Sequence, residues 1–331
     1  LLQVIRSLEL ALIVSGSPGI ERSKLVFQLI SIAQSRLPST TTQEDERPKK
    51  RAKLEGSKLE SPYLRRSIRN LPSLPDFLLP CNNPDHTRPF IVRGAASEWP
   101  AVEKWKDLNY LRMIGGGKGR VVPVEVGNDY TKEGWGQRII PWYDFLNTMF
   151  SSEKEEEEEE ESFYLAQHSL LNEFPLLSRD FPIPSLVYSE PPALQDQYPD
   201  YTAPQNEDGW IVNAWLGRGG TVSQAHTDPY WNCYIQVVGS KWVWIAPPSC
   251  SPHLKTFGGS KEGTTTTTEY MTNTSTIDVT LPSTFTRDYL DQVEPVAQQI
   301  VLEAGDVLVM PPGWWHAMKS LETSFSLSIW F

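Results

Sequence analysis

Residues 221–244 read TVSQAHTDPYWNCYIQVVGSKWVW. β-Branched and aromatic residues dominate the stretch, and Gly239 marks a turn, so it reads as strands joined by short loops. Such apolar strands are expected to be buried, yet this one carries His226, Asp228, Asn232 and Lys241. His226 and Asp228 are two positions apart, which puts both on one face of a strand. Taken singly, each has an ordinary explanation. A lone strand histidine is usually a hydrogen-bonded core residue. A lysine after VVGS can end a hairpin and extend its ammonium to solvent.

Working outward, the same pattern recurs. NEDGWIVNAWLG (206–217), QQIVLEAGDVLVMPPGWWHAM (298–318) and TSFSLSIWF (323–331) alternate apolar and β-branched residues between Gly and Pro turns. No long helix separates them, so the sheets are expected to be antiparallel, and short strands closing on themselves point to a jelly roll or barrel. PFIVRGAASEWP (89–100) and RVVPVEV (120–126) add strands, while IIPWYDFLNTMF (139–150) has the two faces of a helix. The expected organisation is a helical segment at 1–36, split by SGSPG, then a flexible linker at 37–61 and a mainly β domain at 62–331. Within that domain lie an acidic loop at 149–162, with seven consecutive glutamates from Glu155 to Glu161, and an insertion at 249–297 with a short helix near 285–293.

Composition narrows the function. A net charge of −11 argues against duplex nucleic acid as the main partner, because phosphate binding needs a concentrated basic surface, so direct nucleic-acid binding is not expected. Cys81, Cys233 and Cys250 form no CxxC pair, which suits a reducing, intracellular compartment rather than a disulfide framework. No apolar run approaches ~18 residues, so no membrane-spanning helix is expected. PKKRAK (48–53) matches a nuclear import signal, leaving nucleus and cytoplasm both open.

Chemistry enters with His316, which closes PPGWWH (311–316). Strands in a barrel can be neighbours despite long separation in sequence. Two histidines and one carboxylate on one face make the facial triad of non-heme iron(II) oxygenases, which leaves adjacent coordination positions free. A buried Lys241 on the following strand would need an anionic partner, and a dicarboxylate would provide one.

From about Leu71 to Phe331 the chain resembles the Jumonji-C (JmjC) family of Fe(II)- and 2-oxoglutarate-dependent oxygenases. It is most similar to the group described both as lysine-specific demethylase 8 and as a protein arginyl hydroxylase. PVEVGNDYT (123–131), YLAQH (164–168), VNAWLG (212–217), residues 221–241, PPGWWH and SFSLSIWF (324–331) carry the resemblance. It implies a mainly β, double-stranded β-helix fold (a cupin-like jelly roll) with flanking helices. His226, Asp228 and His316 would hold Fe(II). Lys241 would pair with the distal carboxylate of 2-oxoglutarate, with Tyr164, Ser223 and Asn232 adding hydrogen bonds, and O2 would be the second co-substrate. Trp215, Trp330 and Gln167 would border the substrate, and Glu125, Tyr130 and Trp135 would form an acidic, aromatic element that receives it. The sequence departs from the expected pattern at Tyr230 and Trp231, where smaller polar residues are expected.

A carboxylate with aromatic faces suits a guanidinium through bidentate hydrogen bonds and stacking, so hydroxylation of an arginine in a protein substrate is the expected activity. N-methyl-lysine demethylation of a histone at the same site is the alternative, through cation–π attraction. A non-enzymatic β-barrel scaffold and a zinc or manganese isomerase are the remaining readings; the intact triad opposes the first, and Lys241 with Asn232 the second.

Overall fold

The computed structural model describes residues 1–15, 22–37, 67–68, 71, 76–78, 87–116, 119–127, 129, 131, 134–150, 161–191, 201–257 and 271–331. PKKRAK, Tyr130 and nearly all of the acidic run lie outside them. Two sheets face each other. The strands are β1 (Ser67–Ile68), β2 (Phe90–Val92), β3 (Val121–Val126), β4 (Gly136–Pro141), β5 (Phe163–His168), β6 (Ile211–Gly217), β7 (Val222–Thr227), β8 (Asn232–Val238), β9 (Lys241–Ala246), β10 (Gln298–Leu302), β11 (Val307–Met310), β12 (Trp315–Ser320) and β13 (Ser324–Trp330). Nine form one sheet in the order β1-β2-β11-β8-β13-β6-β5-β3-β4, and four form the other, β10-β9-β12-β7. Every pairing within them is antiparallel except β1 with β2. Consecutive strands alternate between sheets late in the chain, the winding of a double-stranded β-helix jelly roll.

The period-2 alternation of side chains sorts the apolar residues into three layers. Val122, Val124, Leu165, Ala214, Leu216, Cys233, Ile235, Val309, Leu327 and Ile329 point away from the sandwich and pack under short helices carrying Val102, Leu111, Phe145 and Met149. Their partners Tyr234, Leu308 and Met310 point inward and meet Val243, Ile245, Ile300, Leu302 and Met318 of the smaller sheet. The outer face of that sheet, with Ala225, Trp244, Ala246, Trp315 and Ala317, is covered by Cys250, Leu254, Ile277, Val279, Tyr289 and Val293. The described part of the 249–297 segment is therefore a lid on the smaller sheet. Because both faces of β8 are covered, all seven of its residues are buried, the polar Asn232 and Gln236 included.

The N-terminal stretch forms two helices, α1 (Leu2–Ser15) and α2 (Arg22–Ser35). Glu9 of α1 is fully buried and pairs with Arg120, while its second oxygen accepts from Val121 N at 2.6 Å. Gln34 of α2 donates to the Gly115 carbonyl at 2.8 Å. The 139–150 stretch differs from the helix expected of it. Ile139–Pro141 instead pairs with Val121–Pro123, and the helix starts at Trp142. A proline is tolerated there because β4 is an edge strand.

Candidate metal centre and adjoining cleft

β7 and β12 lie side by side, with His226 directly opposite His316. Their rings are 4.3 Å apart, centre to centre. β7 ends at Thr227, one residue short of the strand position expected for Asp228. Asp228 is held in the following turn, its carbonyl accepting from Gly313 N at 2.9 Å, and its side chain still turns to the same side. One carboxylate oxygen lies 3.4 Å from His316 Nε2 and the other 3.8 Å from His226 Nε2. Among the described residues these three are the one such group able to hold a metal, their ligand atoms all within 4.8 Å of one another.

The imidazoles are set for that role. His226 Nδ1 donates to the Gln224 carbonyl at 2.6 Å, and His316 Nδ1 to the Trp314 carbonyl at 3.0 Å. A carbonyl can only accept, so both rings carry a proton on Nδ1 and turn Nε2 to the triad; in neutral His226 that lone pair is free for a metal, while His316 Nε2 hydrogen-bonds Asp228 through a proton that a metal would displace. Burial, helped by the neighbouring His316, lowers the His226 pKa to about 4 and keeps that ring neutral. Burial would push His316 down and Asp228 up, but their mutual hydrogen bond and charge reverse both shifts.

The triad opens into a small cleft lined also by Trp215, Ser223, Asn232, Tyr234, Met318 and Ser328. Ser223 is three residues from His226, and an unbroken strand would turn it to the opposite face. A bulge between β7 and β12 takes up one residue, so that Ser223 pairs with Met318 and faces the cleft beside His226. Lys241 opens β9 and is 1% exposed, so its ammonium does not reach solvent. Among the described residues the ammonium hydrogen-bonds the Tyr234 and Tyr164 hydroxyls, at 3.0 and 3.3 Å. Burial lowers its pKa from 10.5 to about 7. No carboxylate among the described residues pairs with this cation, so the position can receive an anion. This chemistry and the N,N,O triad together fit a small metal-bound dicarboxylate. Asn232 adds a buried amide oxygen with no donor among the described residues, and its Nδ2 lies 3.5 Å from Asp228.

Tyr164 of β5 faces Glu125 of β3 in register, so both side chains leave the same face of the sheet. Burial, and the nearby Asp129 charge, raise the Glu125 pKa to about 6, partly offset by the Trp135 indole beside it. The chain beyond Glu125 is tied to β7: Asp129 forms a backbone bridge with Val222 and accepts from Gln224 Nε2 at 2.6 Å. Trp215 stands 6.2 Å from Tyr164 and donates to Ser328 at 2.9 Å. Trp330 is half-buried against Tyr230. Gln167 is exposed at an irregularity in β5 with φ of 46°, away from the cleft-lining residues. His168 lies 2.9 Å from Glu173. Sequence reasoning did not find Tyr234, Met318 or Ser328. Tyr234 and Ser328 each lie two residues from a chosen position, Asn232 and Trp330, and face periodicity points to both.

A two-sheet jelly roll with an inward His-x-Asp…His set defines a cupin-type barrel able to hold a metal. The chain belongs to the cupin-like domain family, which it matches over residues 84–331, and within it to the JmjC proteins. It is 35% identical over 263 residues to Jumonji C domain-containing protein 5 of Drosophila melanogaster, covering 78% of this chain and 58% of that protein. It is 31% identical over 249 residues to Lysine-specific demethylase JMJ30 of Arabidopsis thaliana, covering 73% and 49%. With Lysine-specific demethylase 8 of Xenopus tropicalis it shares 32% identity over 246 residues, covering 74% and 48%. The matched stretch spans about half the length of these curated relatives. Among the described residues no helix is long and apolar enough to cross a membrane.

Proposed function

We propose that the chain is an Fe(II)- and 2-oxoglutarate-dependent oxygenase that hydroxylates an arginine side chain of a protein substrate. The observation that carries the co-substrate is Lys241, a buried ammonium whose hydrogen-bond partners among the described residues are Tyr234 and Tyr164. His226, Asp228 and His316 hold the metal through two Nε2 atoms and a carboxylate. Lys241 and Tyr164 take the distal carboxylate of 2-oxoglutarate, and Ser223 and Asn232 orient the molecule. Bound iron supplies the redox chemistry, in which O2 and 2-oxoglutarate yield succinate, CO2 and one oxygen atom inserted into a substrate C–H bond. The protein's part is to bind, orient and keep water out: Trp215, Tyr234 and Met318 wall the cleft, and both sheets are covered on their outer faces.

Glu125 supports arginine as the acceptor. Its carboxyl shares a face with Tyr164 and is already crowded by the Asp129 charge, so a guanidinium would relieve both burial and repulsion. The demethylase names of two relatives support a second reading, in which the hydroxyl is inserted at an N-methyl group of lysine and formaldehyde leaves.

Mass spectrometry of arginine-containing and N-methyl-lysine-containing peptides after turnover decides between them. Gain of one oxygen atom on arginine is expected; loss of a methyl group from lysine alone would replace the first reading with the second. Asp228→Ala should abolish both metal binding and succinate formation. Succinate from that variant at the parent rate would refute the assigned centre.

A further inference from the structure

The four residues joining β7 to β8 are Asp228, Pro229, Tyr230 and Trp231, and the last two are the chain's departure from the expected pattern. Trp231 is 3% exposed and points into the helix-covered core. Its ring meets Phe77 edge-on at 5.1 Å and lies 6.3 Å from Phe331, and its carbonyl accepts from Phe331 N at 3.1 Å. This fixes the turn to the end of β13. Tyr230, the residue before it, is half-buried and lies on Trp330, with ring centres 5.3 Å apart and planes tilted by 32°. Trp330 pairs in register with Asn232, whose amide reaches Asp228. The two rings therefore form one continuous aromatic surface at the β7–β8 turn, next in register to Asn232 of the cleft. At that separation nothing fits between them, so a ligand can use only their open faces. Trp330 Nε1 is buried with no hydrogen-bond partner among the described residues.

We infer that Tyr230 determines substrate specificity, forming with Trp330 the wall on which a planar cationic side chain stacks as it enters the cleft. The inference rests on the oxygenase reading for the identity of the site and deepens it by assigning a residue to recognition of the substrate. A guanidinium is weakly hydrated and flat, so it gains from an aromatic face in a way that a neutral isostere does not. Trp231 acts differently: it anchors the turn and never reaches the cleft.

The test is equilibrium binding to the full chain with Fe(II) and 2-oxoglutarate, without oxygen so that no turnover occurs. Two short peptides are compared, identical except that one carries arginine and the other citrulline, which has the same outline without the charge. The parent should prefer arginine. Tyr230→Phe should keep that preference, and Tyr230→Leu should reduce it by roughly two- to thirtyfold, the range of one cation–aromatic contact. A merely structural role would weaken both peptides equally and leave the ratio untouched. An unchanged ratio in Tyr230→Leu, or no preference in the parent, overturns the inference. Succinate formation by the parent is measured separately under oxygen. Its absence would overturn the oxygenase reading, while the binding ratio would still report on Tyr230.

Discussion

Burial holds the Lys241 ammonium at a pKa of about 7, against an ordinary 10.5. Between those values the unfolded chain binds a proton that the folded chain does not, so this group makes stability rise with pH from about 7 upward and is most costly below 7. Lys241→Met replaces the cation with a side chain of similar length that has no charge to desolvate. The variant should therefore be at least as stable as the parent near pH 7, and its melting temperature should lack the parent's rise above pH 7. Its affinity for 2-oxoglutarate should fall roughly 10- to 100-fold, the worth of a charged hydrogen bond. Thermal unfolding against pH, with a titration of 2-oxoglutarate, checks both. Undiminished affinity in Lys241→Met would remove Lys241 from the co-substrate site.

At the scale of elements, the meeting of β5 and β6 positions Tyr164. Gly217 lies opposite Tyr164, and a Cβ there would stand 2.7 Å from the Tyr164 ring and 2.9 Å from the Thr221 hydroxyl. Gly217→Ala should push the phenol away from Lys241. The expected cost is about 1–3 kcal/mol in urea unfolding, with a several-fold rise in KM for 2-oxoglutarate and unchanged metal affinity. The β7–β12 bulge is the second such device. His226 with Asp228 could be read from spacing alone, because two residues apart on a strand means one face. Ser223 could not be read that way, since a three-residue offset puts it on the wrong face until the bulge corrects it. The same limit applies at Ile139–Pro141. A helical pattern runs through these residues, but the ladder to β3 takes them first.

Across the whole molecule, α1 is joined to the β domain by a buried charge pair. Arg120 bonds Glu9, donates to the Glu173 carbonyl at 2.8 Å, and lies 4.3 Å above the Phe174 ring. Burial raises the Glu9 pKa from 4.5 to about 7, although Arg120 pulls it down. Glu9→Ala leaves a guanidinium buried without its partner and should cost about 3–5 kcal/mol, whereas Glu9→Leu with Arg120→Met should cost far less. Denaturant unfolding separates the two. Equal losses would mean that packing, and not charge, joins the segment to the barrel.

The amino-acid sequence by itself determined the strand-rich class, the turns at Gly and Pro, and the pairing of His226 with Asp228, because side-chain alternation is a local steric rule that spacing reports directly. It also contained His316, whose place opposite His226 depends on the antiparallel pairing of β7 and β12. Only the tertiary structure decided whether Lys241 reaches solvent or is buried, that Tyr234 shares it with Tyr164, that Ser223 turns inward, and that the described part of the 249–297 segment covers the smaller sheet. Each of these depends on which distant strand or segment lies alongside, and the cost of burying a polar group is set by those neighbours rather than by the residue that carries it.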